Sequence, residues 1–291
     1  MAPVALASSS PLSPSAPFKK PAVQSPSVSL SQSSMANSPT RWQPTEVQNP
    51  PKRDVFAFDS MEEALAAFGR GEFLVVMDDE GRENEGDLII AASECTTEKM
   101  AWMIKHTSGY ICISLPGERL DELEIPMMFP QNQDRHRTAY TVTVDYKYGT
   151  TTGISAHDRA LTARSLSSPT TLPTDFTRPG HLVPLRARPG YTLARPGHTE
   201  SAIDLCRLSG TPERAGLLCE LVNDNEEGSM MRRDECRRFA DRWGLRMVSV
   251  EMLMEWRRVI GDFEGVEGVR GNGNGAVNGV NGSSEVVNGV H

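Results

Sequence analysis

Two apolar runs, Phe73-Leu74-Val75-Val76-Met77 and Leu88-Ile89-Ile90-Ala91-Ala92, bracket the segment Asp78-Asp79-Glu80-Gly81-Arg82-Glu83-Asn84-Glu85-Gly86-Asp87, in which six of ten residues are carboxylates. Apolar runs of this length, rich in β-branched residues, predict buried strands. A chain cannot bury six acids between two core strands, so the fold must hold the acids where a strand leaves the core. Two glycines and an arginine in the middle set this segment apart from a plain solvated turn. Carboxylates this close repel one another, and a cation relieves the repulsion. Glu83, Glu85 and Asp87 alternate, so an extended segment projects them to one side. A hard divalent ion such as Mg²⁺ takes one or two protein carboxylates and keeps several waters. The remaining acids are then free for substrate hydroxyls or proton transfer. Arg82 is either a partner for its neighbours or a phosphate ligand.

Residues 51–263 carry one domain's worth of elements. Ser60 and Glu63 form a capping-box pattern that opens a helix, and Gly69 ends it. Helices are further predicted over 97–106, 199–208, 232–243 and 250–260, with strands over 110–115, 138–146, 217–222 and 245–250. This interleaving predicts an α/β or α+β sandwich. Residues 1–50 are rich in Ser and Pro, with no acidic residue before Glu46. That composition predicts disorder; an organelle-targeting peptide is the alternative, although its basic residues are sparse. The Gly/Asn-rich stretch 264–291 reads as a low-complexity, disordered tail. A net charge of −8 leaves no basic face for nucleic acid. No apolar run is long enough to span a bilayer, so a cytoplasmic protein is expected. The five cysteines lack CxxC spacing and suit buried thiols in a reducing compartment rather than disulfides or a zinc site.

Three further segments bear chemistry. Arg178-Pro179-Gly180-His181, Arg188-Pro189-Gly190 and Arg195-Pro196-Gly197-His198-Thr199-Glu200 repeat one triplet within twenty residues. Repeated tight turns are one explanation. The other is that Arg195 and Thr199, placed before a helix, add to the anion site that a helix N-terminus offers. His198 can donate a neutral nitrogen to a metal. Glu220 falls inside the apolar strand 217–222, where a carboxylate is costly unless paired or functional. It is either an ion-pair partner of an arginine or a general acid–base. Gly149-Thr150-Thr151-Thr152-Gly153, running into Ala156-His157-Asp158-Arg159-Ala160, binds polar ligand groups or caps a helix. His106-Thr107-Ser108-Gly109 is equally open.

Taken in order, DDEGRENEGDLIIAA, HTSGYIC, TAYTVTVD, GTTTGISAHDRALT, RPGHLVPLRA, RPGHTESAIDL and CELVNDNEEGSM closely resemble the 3,4-dihydroxy-2-butanone 4-phosphate synthases of riboflavin biosynthesis. The resemblance covers residues from about 60 to 260. It implies conversion of D-ribulose 5-phosphate to L-3,4-dihydroxy-2-butanone 4-phosphate and formate. It also implies a three-layer sandwich with a central mixed β-sheet flanked by helices, and Mg²⁺ or Mn²⁺ as two ions per site. By motif, Glu83 and His198 are the metal ligands. Arg82, Glu83, Asp87, Thr138, Arg195, His198, Thr199 and Glu220 contact the sugar phosphate. His181 and Glu220 transfer protons, with Asp78 and Glu85 in support. The resemblance further implies a homodimer with shared active sites, His181 and Thr138 reaching in from the subunit opposite Glu83 and Glu220. Arg137 departs from the small residue common before Thr-Ala, and Ser201 from a common Ala. A fused GTP cyclohydrolase II domain, present in some relatives, is not expected, nor is a nucleic-acid or membrane partner. The threonylcarbamoyl-adenylate synthases share this type of fold, but a tRNA-binding enzyme needs a basic face.

Overall fold

In the computed structural model of the chain, the structure describes residues 42–266. Both apolar runs form strands, β1 (Leu74–Met77) and β2 (Gly86–Ala91), paired antiparallel with Met77 opposite Gly86. Five more strands follow: β3 (Cys112–Pro116), β4 (Val144–Tyr146), β5 (Phe176–Ala187), β6 (Gly216–Glu220) and β7 (Arg246–Ser249). They form one seven-stranded sheet in the order β4-β5-β3-β6-β2-β1-β7. The β1–β7 and β3–β5 pairs are parallel and the others antiparallel, so the sheet is mixed.

Strand alternation sends neighbouring residues to opposite faces. Val75, Met77, Leu88, Ile90, Leu217 and Met247 pack beneath helices α2 (Thr97–His106), α3 (Gly117–Glu122), α4 (Ala156–Ser167) and α6 (Arg233–Trp243). Leu74, Val76, Ile89, Leu218 and Val248 pack beneath α1 (Met61–Gly69), α5 (His198–Leu208) and α7 (Val250–Val259). The result is the expected three-layer sandwich. Ser60 caps α1 by accepting the Glu63 N–H at 3.2 Å, and Gly244 ends α6 in the left-handed conformation.

Several expectations need correction. The strand expected over 138–146 shortens to β4, with only single bridges at Tyr140–Leu185 and Met127–Thr141 upstream. Its neighbour β5 contains Pro179 and Pro184, which have no N–H to donate, so the ladder is interrupted. The first Arg-Pro-Gly is therefore not a turn but lies inside β5. A Cβ on Gly180 would sit 2.0 Å from the carbonyl carbon of Val144, so only glycine lets β4 approach there. The start of helix α4 was weighed as a ligand-binding turn or a cap region, and the helix itself was not predicted. Its inward side carries Asp158, Arg159, Thr162 and Ser165, which hides the apolar stripe that marks most helices.

The packed body also extends past 51–263. Trp42 meets Phe73 edge to face with ring centroids 6.1 Å apart, and the Val47 N–H donates to the Arg242 carbonyl at 2.7 Å. At the other end the fully buried Arg257 donates to the Gly190 carbonyl at 2.7 Å, to Asp204 at 3.1 Å and to Asp262 at 2.8 Å. Glu264 pairs with Arg207 and Arg214, which straps the segment after α7 across the turn at Gly190. The rest of the two expected disordered ends, 1–41 and 267–291, lies outside the described residues.

Candidate active site

The acid segment is a tight loop between β1 and β2, built around Asp78. One oxygen of this buried carboxylate accepts the Glu85 N–H at 2.8 Å. The other accepts the Glu83 N–H at 3.1 Å and the Arg82 guanidinium at 2.8 Å. Asn84 takes a left-handed φ of 53° at the tip. Arg232, at the start of α6, donates to the carbonyls of Glu83 (2.9 Å) and Asn84 (2.5 Å). Thus Asp78 spends its acceptors on the loop backbone, and its support is structural. Glu83, Glu85 and Asp87 then line one hollow of ≈ 70 Å³ with Arg82, Thr138, Arg195, His198, Thr199 and Glu220. Burial, and next the Glu83 charge, push the Glu85 carboxyl up.

His198 sits at the first turn of α5, buried. Its Nε2 lies 3.1 Å from the Val76 carbonyl, which can only accept, so Nε2 carries the proton. Burial lowers the imidazole pKa and keeps the ring neutral. Its Nδ1 lone pair therefore faces Asp87 Oδ1 at 3.5 Å and Glu83 Oε2 at 3.8 Å. Asp87 Oδ1 is buried and finds no hydrogen-bond partner among the described residues. Burial, and then the Glu220 charge opposite it in the ladder, push the Asp87 carboxyl well up. Glu83 Oε2 accepts from Arg82 Nη1, whereas Asp87 Oδ1 is left without a donor among the described residues, beside the His198 Nδ1 lone pair, an arrangement a hard cation can satisfy. Asp78, Glu83 and His198 can bring one atom each within 4.8 Å of one another. Asp78 accepts from the Glu83 and Glu85 N–H groups and from Arg82, and Glu83 from Arg82 alone among the described residues, so Glu83 and His198 are the less occupied of the three.

Beside this cluster, two guanidiniums converge on the N-terminus of α5. A Cβ on Gly197, the N-cap, would meet Arg195 Nη1 at 2.5 Å and Arg82 Nη2 at 3.1 Å. Arg195 is buried and fixed by Glu200 (2.5 Å), the His136 carbonyl (3.0 Å) and Thr138 Oγ1 (3.0 Å). Two guanidiniums and a helix N-terminus around a glycine form a cradle that suits an anion, with Arg82 also paired to Asp78 and Glu83 and Arg195 to Glu200. The second and third Arg-Pro-Gly triplets feed this cradle: Arg188 N–H donates to Glu200 at 3.1 Å.

Two expectations fare differently. Glu220 is not sealed inside its strand; it ends β6, half-buried, and accepts Ser108 Oγ at 2.9 Å. Thr138 was assigned to the opposite subunit, yet it meets Arg195 of its own chain. The Ala139 carbonyl, which accepts from the Arg186 N–H, and the Tyr140–Leu185 bridge hold that segment beside β5. His181 lies away from the hollow on β5, four residues before Leu185, about 13 Å along a strand. Its Nδ1 is 2.6 Å from Asp145 Oδ2, its N–H donates to Asp145 Oδ1 at 2.8 Å, and its side chain is 42% exposed. The sequence reading did not single out Asp145, Glu200, Ser108 as a partner of Glu220, or Arg232. Asp145 closes TAYTVTVD, and that apolar-to-acid step is the one signal it left.

The chain matches the 3,4-dihydroxy-2-butanone 4-phosphate synthase family over residues 62–256. A Schizosaccharomyces pombe protein of that name is 58% identical over 198 residues, 68% of this chain and 96% of its own. A Candida albicans protein of the same name is 54% identical over 199 residues, covering 68% and 97%. A crystal structure of 3,4-dihydroxy-2-butanone 4-phosphate synthase in complex with two magnesium ions superposes with a TM-score of 0.67 at 47% identity, covering 70% of this chain and all of that one.

Proposed function

The chain belongs to the 3,4-dihydroxy-2-butanone 4-phosphate synthase family, the lyases of riboflavin biosynthesis that convert D-ribulose 5-phosphate to L-3,4-dihydroxy-2-butanone 4-phosphate and formate, and from this we propose how its side chains divide that work. Glu83 and His198 hold Mg²⁺, as two ions per site, and Mn²⁺ can replace it. The observation that supports this is the neutral His198, whose Nδ1 lone pair faces Asp87 Oδ1, which has no hydrogen-bond donor among the described residues, and Glu83 Oε2, which accepts from Arg82. When bound, the cation polarises the carbonyl and hydroxyl oxygens of the sugar. Arg82, Arg195, Thr199 and the α5 N-terminus take the phosphate, which fixes the sugar at one end. Asp87 and Glu220, opposite each other on β2 and β6, face its hydroxyls. Glu220 moves protons there, and Glu85 sets the charge beside it.

The second proton-transfer group is His181, supplied by the other subunit of a homodimer. In its own chain the ring does not line the hollow, yet it is exposed. Asp145 accepts its Nδ1 proton, which leaves Nε2 free as a base. Beside it, Ile154 is half exposed, as are Tyr110, Met128 and Phe129 on the same chain, and a subunit contact would cover such residues. A two-fold axis builds two such sites at once. The five unbridged cysteines favour a reducing compartment, the cytoplasm.

Subunit exchange tests the assignment. His181→Ala and Glu83→Ala are each expected to abolish formate release from ribulose 5-phosphate and Mg²⁺. In a mixed dimer one site is intact and the other carries both lesions, so about half the activity of an intact dimer should return. Confirmed exchange without recovery would place both residues in one chain's site. Wild-type activity in verified metal-free conditions would remove the metal assignment.

A further inference from the structure

Beyond the Ser108–Glu220 hydrogen bond, two of the sequence motifs take no part in the site as described so far: His106-Thr107-Ser108-Gly109 and the Arg159 of Ala156-His157-Asp158-Arg159-Ala160. They meet behind Glu220. Helix α2 ends as Thr107 Oγ1 donates to the Met103 carbonyl at 2.7 Å. The chain then turns through Gly109, whose φ of 78° suits a glycine. The turn docks on the end of β6: Ser108 N–H donates to the Glu220 carbonyl at 2.8 Å. From the other side Arg159 Nη1 donates to the Gly109 carbonyl at 3.1 Å. Arg159 is only 6% exposed and makes no ion pair among the described residues. Burying an unpaired guanidinium is costly, and here it braces one backbone carbonyl.

The Ser108 hydroxyl has one proton and two acceptor positions. The Tyr110 N–H donates to it at 3.3 Å. The Cys219 thiol lies 3.2 Å from the hydroxyl and 3.8 Å from Glu220 Oε2, and burial pushes its pKa up to about 12, so it stays protonated. A carboxylate oxygen accepts. The one hydroxyl proton therefore goes to Glu220 Oε2, at 2.9 Å. The hydroxyl cannot turn away without losing partners.

We propose that Ser108, braced by Arg159 through Gly109, is the positioning residue of Glu220: it holds one carboxylate oxygen and leaves the other free to exchange protons with the substrate. This rests on the proton-transfer reading of Glu220. It would also explain why a half-exposed acid at a strand end keeps one orientation among neighbouring carboxylates.

The test uses the full chain with Mg²⁺ and ribulose 5-phosphate, measuring kcat, KM and Tm for Ser108→Ala, Ser108→Thr, Glu220→Gln and the double variant Ser108→Ala/Glu220→Gln. Loss of a hydrogen bond to a charged group should lower kcat of Ser108→Ala about tenfold or more. KM and Tm should stay near wild type, and Ser108→Thr should recover most of the loss. In the Glu220→Gln background Ser108→Ala should cost little more, because coupled residues are not additive. An equal loss in both backgrounds would show that Ser108 does not act through Glu220 and overturn the proposal. Wild-type kcat for Ser108→Ala with an inactive Glu220→Gln would overturn it alone, whereas an active Glu220→Gln would overturn the reading beneath it. If Ser108→Ala fails to fold, Arg159→Met releases the same turn from behind and carries the same comparison.

Discussion

A single carbon added at Gly197 would meet both guanidiniums of the anion cradle, yet its φ of −134° is open to any residue. Gly197→Ala therefore isolates the cradle from backbone strain. Displacing one charge-assisted contact should raise KM for ribulose 5-phosphate about tenfold or more, with a smaller change in kcat. Inhibition by inorganic phosphate should weaken in parallel; unchanged phosphate inhibition would move the phosphate elsewhere. Residues of this kind were legible where charge is dense in sequence. Arg82, Glu83, Asp87, Arg195 and His198 stand in two short segments, and the structure brings those segments together. Their supports were not. Asp145 and His181, or Ser108 and Glu220, become partners only through the sheet order, which one sequence does not display.

Elements followed a similar rule. β1 and most of β2 are apolar runs and were readable outright, although β2 starts two residues earlier, at Gly86, and so takes Asp87 of the acid segment into the sheet. β5 was misread because its two prolines and a glycine signal turns unless a neighbouring strand is known to lie against them. Only the end of the strap after α7, from Glu264, was taken for tail, since its charge looks solvated until Arg207 and Arg214 are seen to pair with it. Burial acts to raise the Asp262 pKa, but hydrogen bonds from Arg207 and Arg257 hold it down to about 2. A folded pKa below the unfolded one means stability that is full above pH of about 4 and lost as pH falls toward 2. Asp262→Asn should therefore lower Tm at neutral pH, by about 2–4 °C for each kcal/mol lost. The gap from wild type should close in acid. A Tm difference that persists unchanged at pH 2 would assign the loss to packing instead of charge.

For the whole molecule, the sheet joins distant parts of the chain. β1 lies between β2, its hairpin partner, and β7, which ends at Ser249. A chain ending at Trp243 would lack β7 and α7 and leave one edge of β1 open, with Leu74, Val75, Val76 and Met77 along it. Such an edge pairs with other chains. We predict that this truncation accumulates in the insoluble fraction, while a chain ending at Val266 stays soluble; equal solubility would mean that β7 is not needed to close the sheet.

During synthesis, β1 emerges long before the strand that seals it. From Met77 to Ser249 is 249 − 77 = 172 residues, roughly 9–34 s at ribosomal speed. Through that interval the exposed strand is flanked on its C-terminal side by six carboxylates. Charges set against an apolar strand act as gatekeepers against aggregation. The loop proposed to hold a metal and a sugar phosphate would thus first guard the nascent chain against aggregation.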